Sequence, residues 1–201
     1  MREAGYAERY RDRRFATAHG PRTDRRERRA LRSLLRECGA GSGPWLDAPC
    51  GTGRLAAELP GPVVQLDRDR AMLAACRDRG RRVCAALSAL PFADGAFAGV
   101  LCCRLLQHLP AAAERRAVLH ELARVCRGPV IVSFFDAVSL QHARRLVRRR
   151  LGKNRSGRTA ITRKALLADL RAAGLRLLRF RALGRFVAEQ TLVACRSGAM
   201  V

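Results

Sequence analysis

Trp45-Leu46-Asp47-Ala48-Pro49-Cys50-Gly51-Thr52-Gly53-Arg54 decides how this chain is read. An apolar strand ends on an acid, turns through Gly-x-Gly and enters a predicted helix. Val63-Val64-Gln65-Leu66-Asp67 follows as a second strand ending on another acid. That order builds a nucleoside-cofactor site in a Rossmann-like sheet. The glycines let backbone approach the ligand, a helix N-terminus favours an anionic group, and the second acid accepts hydrogen bonds from ribose hydroxyls.

Gly51-x-Gly53-x-x-Ala56 also fits the dinucleotide fingerprint in form. Asp47 argues against it. An acid just before the turn repels a pyrophosphate and attracts an ammonium or a sulfonium. The chain also lacks an evident second domain for a hydride acceptor. The segment resembles motif I of the class I S-adenosylmethionine (SAM) methyltransferases, acid-x-x-Cys-Gly-Thr-Gly. Leu90-Pro91-Phe92-Ala93-Asp94-Gly95-Ala96-Phe97 resembles the segment that enters strand four in that superfamily. Arg104-Leu105-Leu106-Gln107-His108-Leu109 is similar to the segment after strand four, and Glu121-Leu122-Ala123-Arg124-Val125 to the helix end before strand five. The four segments occur in the superfamily's order over about residues 43–196. Within it, the chain resembles the ubiquinone/menaquinone-type small-molecule methyltransferases.

With 201 residues and 48% hydrophobic content, one packed domain is expected. No apolar run reaches membrane-span length, and Met1-Arg2-Glu3-Ala4-Gly5 carries no signal-peptide pattern. The eight cysteines show neither Cys-x-x-Cys nor zinc spacing, so free, buried thiols and a cytoplasmic location are expected. Forty Lys+Arg against 17 Asp+Glu give a net charge of +23. Such a field favours polyanions: RNA, an anionic membrane surface or an anionic substrate.

The alternation of strands and helices implies an α/β fold, and the resemblance sharpens it. A Rossmann-like, seven-stranded, mostly parallel sheet is expected, with helices on both faces and the last strand antiparallel between strands five and six. Residues 1–42 form an N-terminal arm and helix capping the site; residues 43–201 form the SAM-binding domain. A helix over 24–37 opens on Asp24-x-x-Glu27, which resembles a capping box. Helix A is predicted from Thr52 to Glu58, strand five over Pro129–Phe135, and a helix capped by Thr162 ends at Gly174.

The expected cofactor is SAM. Asp47 faces its ammonium, Cys50, Gly51 and Gly53 form the turn, and Asp67 binds the ribose diol. Arg68 and Met72 flank the adenine, with Ala86, Leu87 and Cys103 completing the contacts. Many relatives place an acid before the Leu-Pro-Phe segment; here Cys84-Ala85-Ala86-Leu87-Ser88 has none. Likewise Ala98 replaces the common Asp after the strand-four Phe. His108 is the candidate base, because imidazole titrates near neutrality. Tyr6 and Tyr10 are candidate caps on the substrate pocket. Arg148 and Arg149 lie in a cationic stretch, Gln141 to Lys164, that contains no acid. Three functions follow: methyl transfer to a small molecule, anionic or membrane-associated; RNA methylation; or binding through a SAM fold without catalysis.

Overall fold

The computed structural model describes residues 20–76, 80–150, 157–184 and 190–198, Arg149 by its backbone alone. Seven strands form one sheet: β1 (Trp45–Asp47), β2 (Val63–Asp67), β3 (Arg81–Cys84), β4 (Gly99–Cys102), β5 (Pro129–Phe135), β6 (Leu175–Ala182) and β7 (Gln190–Ser197). Their spatial order is β3-β2-β1-β4-β5-β7-β6. The first five are parallel, and β7 runs antiparallel to both β5 and β6. This is the predicted α/β topology, including the insertion of β7.

Alternate side chains of each strand point to opposite faces, so the sheet has two cores. On one face Leu46, Val100, Val130, Val132 and Val193 pack with α3 (Ala112–Arg124) and α5 (Arg163–Ala172). On the other, Trp45, Leu101, Ile131, Leu192 and Ala194 pack with α1 (Gly20–Glu37). Burial on both faces explains the continuous apolar run of β5. Trp45 pairs with Gly99 across β1 and β4. A Cβ at Gly99 would meet the indole at 2.3 Å, so this register needs glycine there.

α1 docks through Ala30, Leu31, Leu34 and Leu35, spaced for one helical face. Burying each of the three leucines stabilises the contact by roughly 1.5–3 kcal/mol. The helix already runs from Gly20, so Asp24 does not cap it. Asp24 instead accepts from Arg28 at 2.8 Å and pairs with Arg54. Thr162 caps α5 as predicted, its hydroxyl accepting from the Ala165 amide at 3.2 Å. Gly174, at φ +72, ends that helix.

Helix A is shorter than predicted. Residues 51–55 are turns, and only Ala56–Glu58 are helical, as one 3-10 turn. Two positive-φ glycines open the segment, and Pro60 and Gly61 close it. Too few residues remain for an α-helix to nucleate. α2 (Arg70–Ala74) is likewise a short helix, capped by Asp69. Among the described residues no helix is long and apolar enough to cross a membrane.

Candidate functional site

β1 and β2 are parallel neighbours, so Asp47 and Asp67 emerge at the same edge of the sheet. Between them the chain turns through Gly51 at φ +56 and Gly53 at φ +71, a backbone region costly for any residue with a Cβ. The Gly51 amide donates to Asp67 Oδ2 at 2.9 Å, and the Asp69 amide to Asp67 Oδ1 at 3.0 Å. Asp67 is thus fixed against the loop, with lone pairs left to accept hydroxyl donors. Gly53 serves packing: a Cβ there would meet Gln65 Nε2 at 2.6 Å.

The edge opens into a cavity of about 1000 Å³. Asp47, Cys50, Gly51, Asp67, Arg68, Met72, Ala86, Leu87 and Cys103 all line it. Gly53 does not. Ser88 lies on the wall beside Ala86 and Leu87, where many relatives have an acid. Leu105, His108, Leu109, Pro110 and Val118 form the far wall, and Arg158 reaches it from the segment after β5. The volume exceeds what a nucleoside needs and leaves room for an acceptor beside it.

His108 stands on a 3-10 turn, Leu106–His108. Backbone contacts fix that turn from both sides. Gln107 Nε2 donates to the Arg104 carbonyl at 2.7 Å, and the Thr159 amide to the Gln107 carbonyl at 2.8 Å. The buried Arg115 donates to the carbonyls of Leu109 at 3.1 Å and Pro110 at 2.7 Å, while pairing with buried Asp169 at 2.7 Å. An ion pair inside the domain thereby holds the loop that carries the histidine.

Two buried carboxylates stand behind the cavity. Asp47 is 2% exposed, and among the described residues its Oδ2 has no hydrogen-bond partner. Burial raises its pKa to about 8; Arg54 opposes the shift, while Cys76 and Asp67 add to it. A buried orphan oxygen at a cavity floor calls for a cationic donor, and the SAM ammonium is one. The residues present therefore fit SAM: Asp47 for the ammonium, Asp67 for the ribose hydroxyls, and Met72, Ala86 and Leu87 for an apolar ring.

Glu27, on α1, is fully buried but saturated. It accepts from Arg104 Nε at 3.1 Å and Nη2 at 2.9 Å, and pairs with Arg54 and Gln190. Burial pushes its pKa up, yet Arg54 and Arg104 outweigh that and hold it below the ordinary glutamate value. Both arginines line the cavity. Arg104 adopts φ +63, unusual outside glycine, and its amide donates to Ser133 Oγ at 2.7 Å. The chain thus folds an acid from its N-terminal helix under two cations of the cavity wall.

Sequence reasoning missed Glu27, Arg54 and Arg104 as parts of this site, whereas Arg158 belongs to the cationic stretch Gln141 to Lys164 already singled out. A signal existed for the first: Glu27 shares the apolar stripe of Ala30, Leu31 and Leu34, where an acid requires a buried partner. Arg148 is exposed on α4 (Leu140–Arg150) and does not line the cavity. Tyr6, Tyr10 and the side chain of Arg149 lie outside the described residues. All eight cysteines are free, and only Cys84 is exposed. Among the described residues no His/Cys/Asp/Glu cluster suits a metal ion.

Residues 46–134 match the model of a methyltransferase domain family. The chain's fold is similar to that of magnesium protoporphyrin IX methyltransferase from Synechocystis, solved with bound S-adenosylhomocysteine. The two are 17% identical with a TM-score of 0.74, covering 96% of each chain. A SAM-dependent methyltransferase from Clostridium acetobutylicum is 14% identical with a TM-score of 0.71, covering 87% of this chain and 92% of that one. Another from Thermotoga maritima is 18% identical with a TM-score of 0.69, covering 96% and 94%. At these identities the likenesses speak for the fold. No curated protein matches by sequence. The domain match and the fold agree on methyl transfer as the chemistry of this chain, and the residues lining the cavity fit SAM as its cofactor.

Proposed function

We propose that this enzyme methylates a small-molecule acceptor, in the manner of the ubiquinone/menaquinone-type subgroup that the sequence resembles. The observation that carries this reading is the far wall of the cavity. Leu105, Leu109, Pro110 and Val118 offer an apolar surface, with His108 and Arg158 as polar groups at its rim. Such a mixed, concave wall suits a compact organic molecule. SAM, when bound, supplies an electrophilic methyl group on its sulfonium. The chain's own residues orient the acceptor, exclude water and move one proton.

His108 takes that proton from an acceptor hydroxyl or amine. The contacts of Gln107 and Arg115 hold its turn at the rim, which gives the imidazole a fixed approach. Helix α1, whose Glu27 reaches beneath the wall, is the described part of the cap expected of residues 1–42. Arg158 pairs with an anionic group of the acceptor. We place the protein in the cytoplasm, because seven buried free thiols suit a reducing compartment.

The test is a labelled-methyl screen of lysate fractions, followed by His108→Ala on the acceptor found. Turnover is expected to fall while SAM affinity stays level. Unchanged turnover across the neutral range would remove His108 from the chemistry. Purified RNA as sole acceptor would replace the small-molecule reading; the charge of +23 gives RNA affinity in any case, so binding alone decides nothing.

A further inference from the structure

The four large hydrophobic side chains most exposed among the described residues all fall in one short stretch. They are Val138 at 70%, Leu140 at 48%, Leu146 at 46% and Val147 at 57%. The last three belong to α4. At 100° per residue, Leu140, Ala143, Leu146 and Val147 form one stripe, and all four are exposed. The opposite side carries His142 and Arg145, which are half-buried. Arg145 places its guanidinium 5.7 Å from the centroid of the Phe135 ring. The helix is therefore turned inside out: a cation packs on the protein, and the apolar stripe faces away from it.

Cations rim that stripe. Arg144 and Arg148 flank it on one side and Arg150 ends it at the helix terminus, all three exposed, and no acid occurs in the sequence between Asp136 and Asp169. We propose that α4 is a docking surface for an anionic lipid bilayer. Leu140, Leu146 and Val147 enter the boundary between headgroups and acyl chains. Arg144, Arg148 and Arg150 reach the phosphates, their methylene stems lying along the same interface. A second copy of the chain fits less well, because two such faces would bring their arginine rims together. RNA also fits less well, since the outward side chains are aliphatic and offer no ring for a base to stack on.

The dock lies beside the site. Arg158, which lines the cavity, sits 5.9 Å from the same Phe135 ring that Arg145 covers. That ring touches the inward side of α4, so a bilayer on the outward stripe would stand about one helix diameter, ~10 Å, from it. The proposal concerns only the partner of this face and holds whatever the methyl acceptor is.

Vesicle co-sedimentation of the full chain tests it, with phosphatidylcholine vesicles against phosphatidylcholine/phosphatidylglycerol vesicles at physiological salt. The wild type is expected to bind the anionic vesicles and to bind neutral ones weakly. The double variant Leu146→Asn/Val147→Asn keeps the net charge and alters exposed positions only. It is expected to bind anionic vesicles about tenfold more weakly or worse, from the lost apolar insertion. Arg144→Gln/Arg148→Gln should weaken binding and reduce its salt dependence. SAM affinity should be unchanged in both variants, which certifies their fold and separates this result from the catalytic reading. Three results would overturn the proposal: wild-type vesicle binding by the Asn double variant, which means diffuse charge alone; no binding to anionic vesicles at all; or a solution dimer that the double variant dissociates, which assigns the face to a second copy.

Discussion

Asp47 and Glu27 are both buried carboxylates, both sense Arg54, and their pKa values move in opposite directions. Asp47 ends a central strand, buried, with one carboxyl oxygen left without a hydrogen-bond partner among the described residues. Glu27 comes from α1 and meets Arg54 and Arg104 together. Burial acts alike on the two; the number of cations within hydrogen-bond reach decides the sign. The difference separates two functions. A satisfied carboxylate stabilises the fold, whereas an unpartnered one is held at a cost that a cationic ligand would relieve.

The sharpest way to break this comparison is Glu27→Ala. It leaves two guanidiniums facing each other over an apolar gap, and is expected to lower the unfolding free energy by about 3 kcal/mol. Chemical denaturation measures it. A loss below about 1 kcal/mol would mean that water, not Glu27, balances the arginines.

Asp47→Asn should behave in the opposite way. The isosteric amide removes an unpaired acid, so stability is expected to hold or rise. SAM binding should weaken by about 2 kcal/mol, in the range of a charged hydrogen bond. Calorimetric titration and a melting curve on one sample read both effects. Lost stability with unchanged SAM affinity would reverse the assigned roles.

The pH dependences sharpen the contrast. Glu27 has a lowered pKa in the fold, so its contribution is complete above the ordinary value of 4.5 and is lost as the pH falls through the folded value. Asp47 is raised from 3.8 to about 8, so the fold loses stability as the pH climbs between those values. Asp47→Asn should flatten that upper slope. The same shift makes SAM binding release a proton, because the carboxyl must ionise to meet the ammonium. Between about pH 6 and 7.5 the affinity is expected to rise toward tenfold per pH unit. Titration in buffers of different ionisation enthalpy counts the proton. No release at neutral pH would show that Asp47 is already ionised.

Much of the cofactor half was readable because its parts are contiguous. Acid, Gly51-x-Gly53 and the second acid lie within about two dozen residues, and local turn chemistry ties their spacing to the edge of a parallel pair. Strand five was readable because burial on both faces leaves an unbroken apolar run. The predicted helix after Gly53 was not. Its apolar spacing was right, but two glycines at positive φ and the following Pro60 leave room for a single turn.

The sequence by itself determined the alternation of strands and helices, the acids at two strand ends and the glycine turn, because backbone conformation and side-chain alternation depend on near neighbours. Only the tertiary structure decided which charges are paired. Glu27 meets Arg104 across 77 residues and Gln190 across 163, distances at which no local pattern carries information. It also decided which face of α4 looks outward. The Phe135 ring takes Arg145 rather than Leu146 as its neighbour, and that contact sends the helix's own apolar stripe away from the protein.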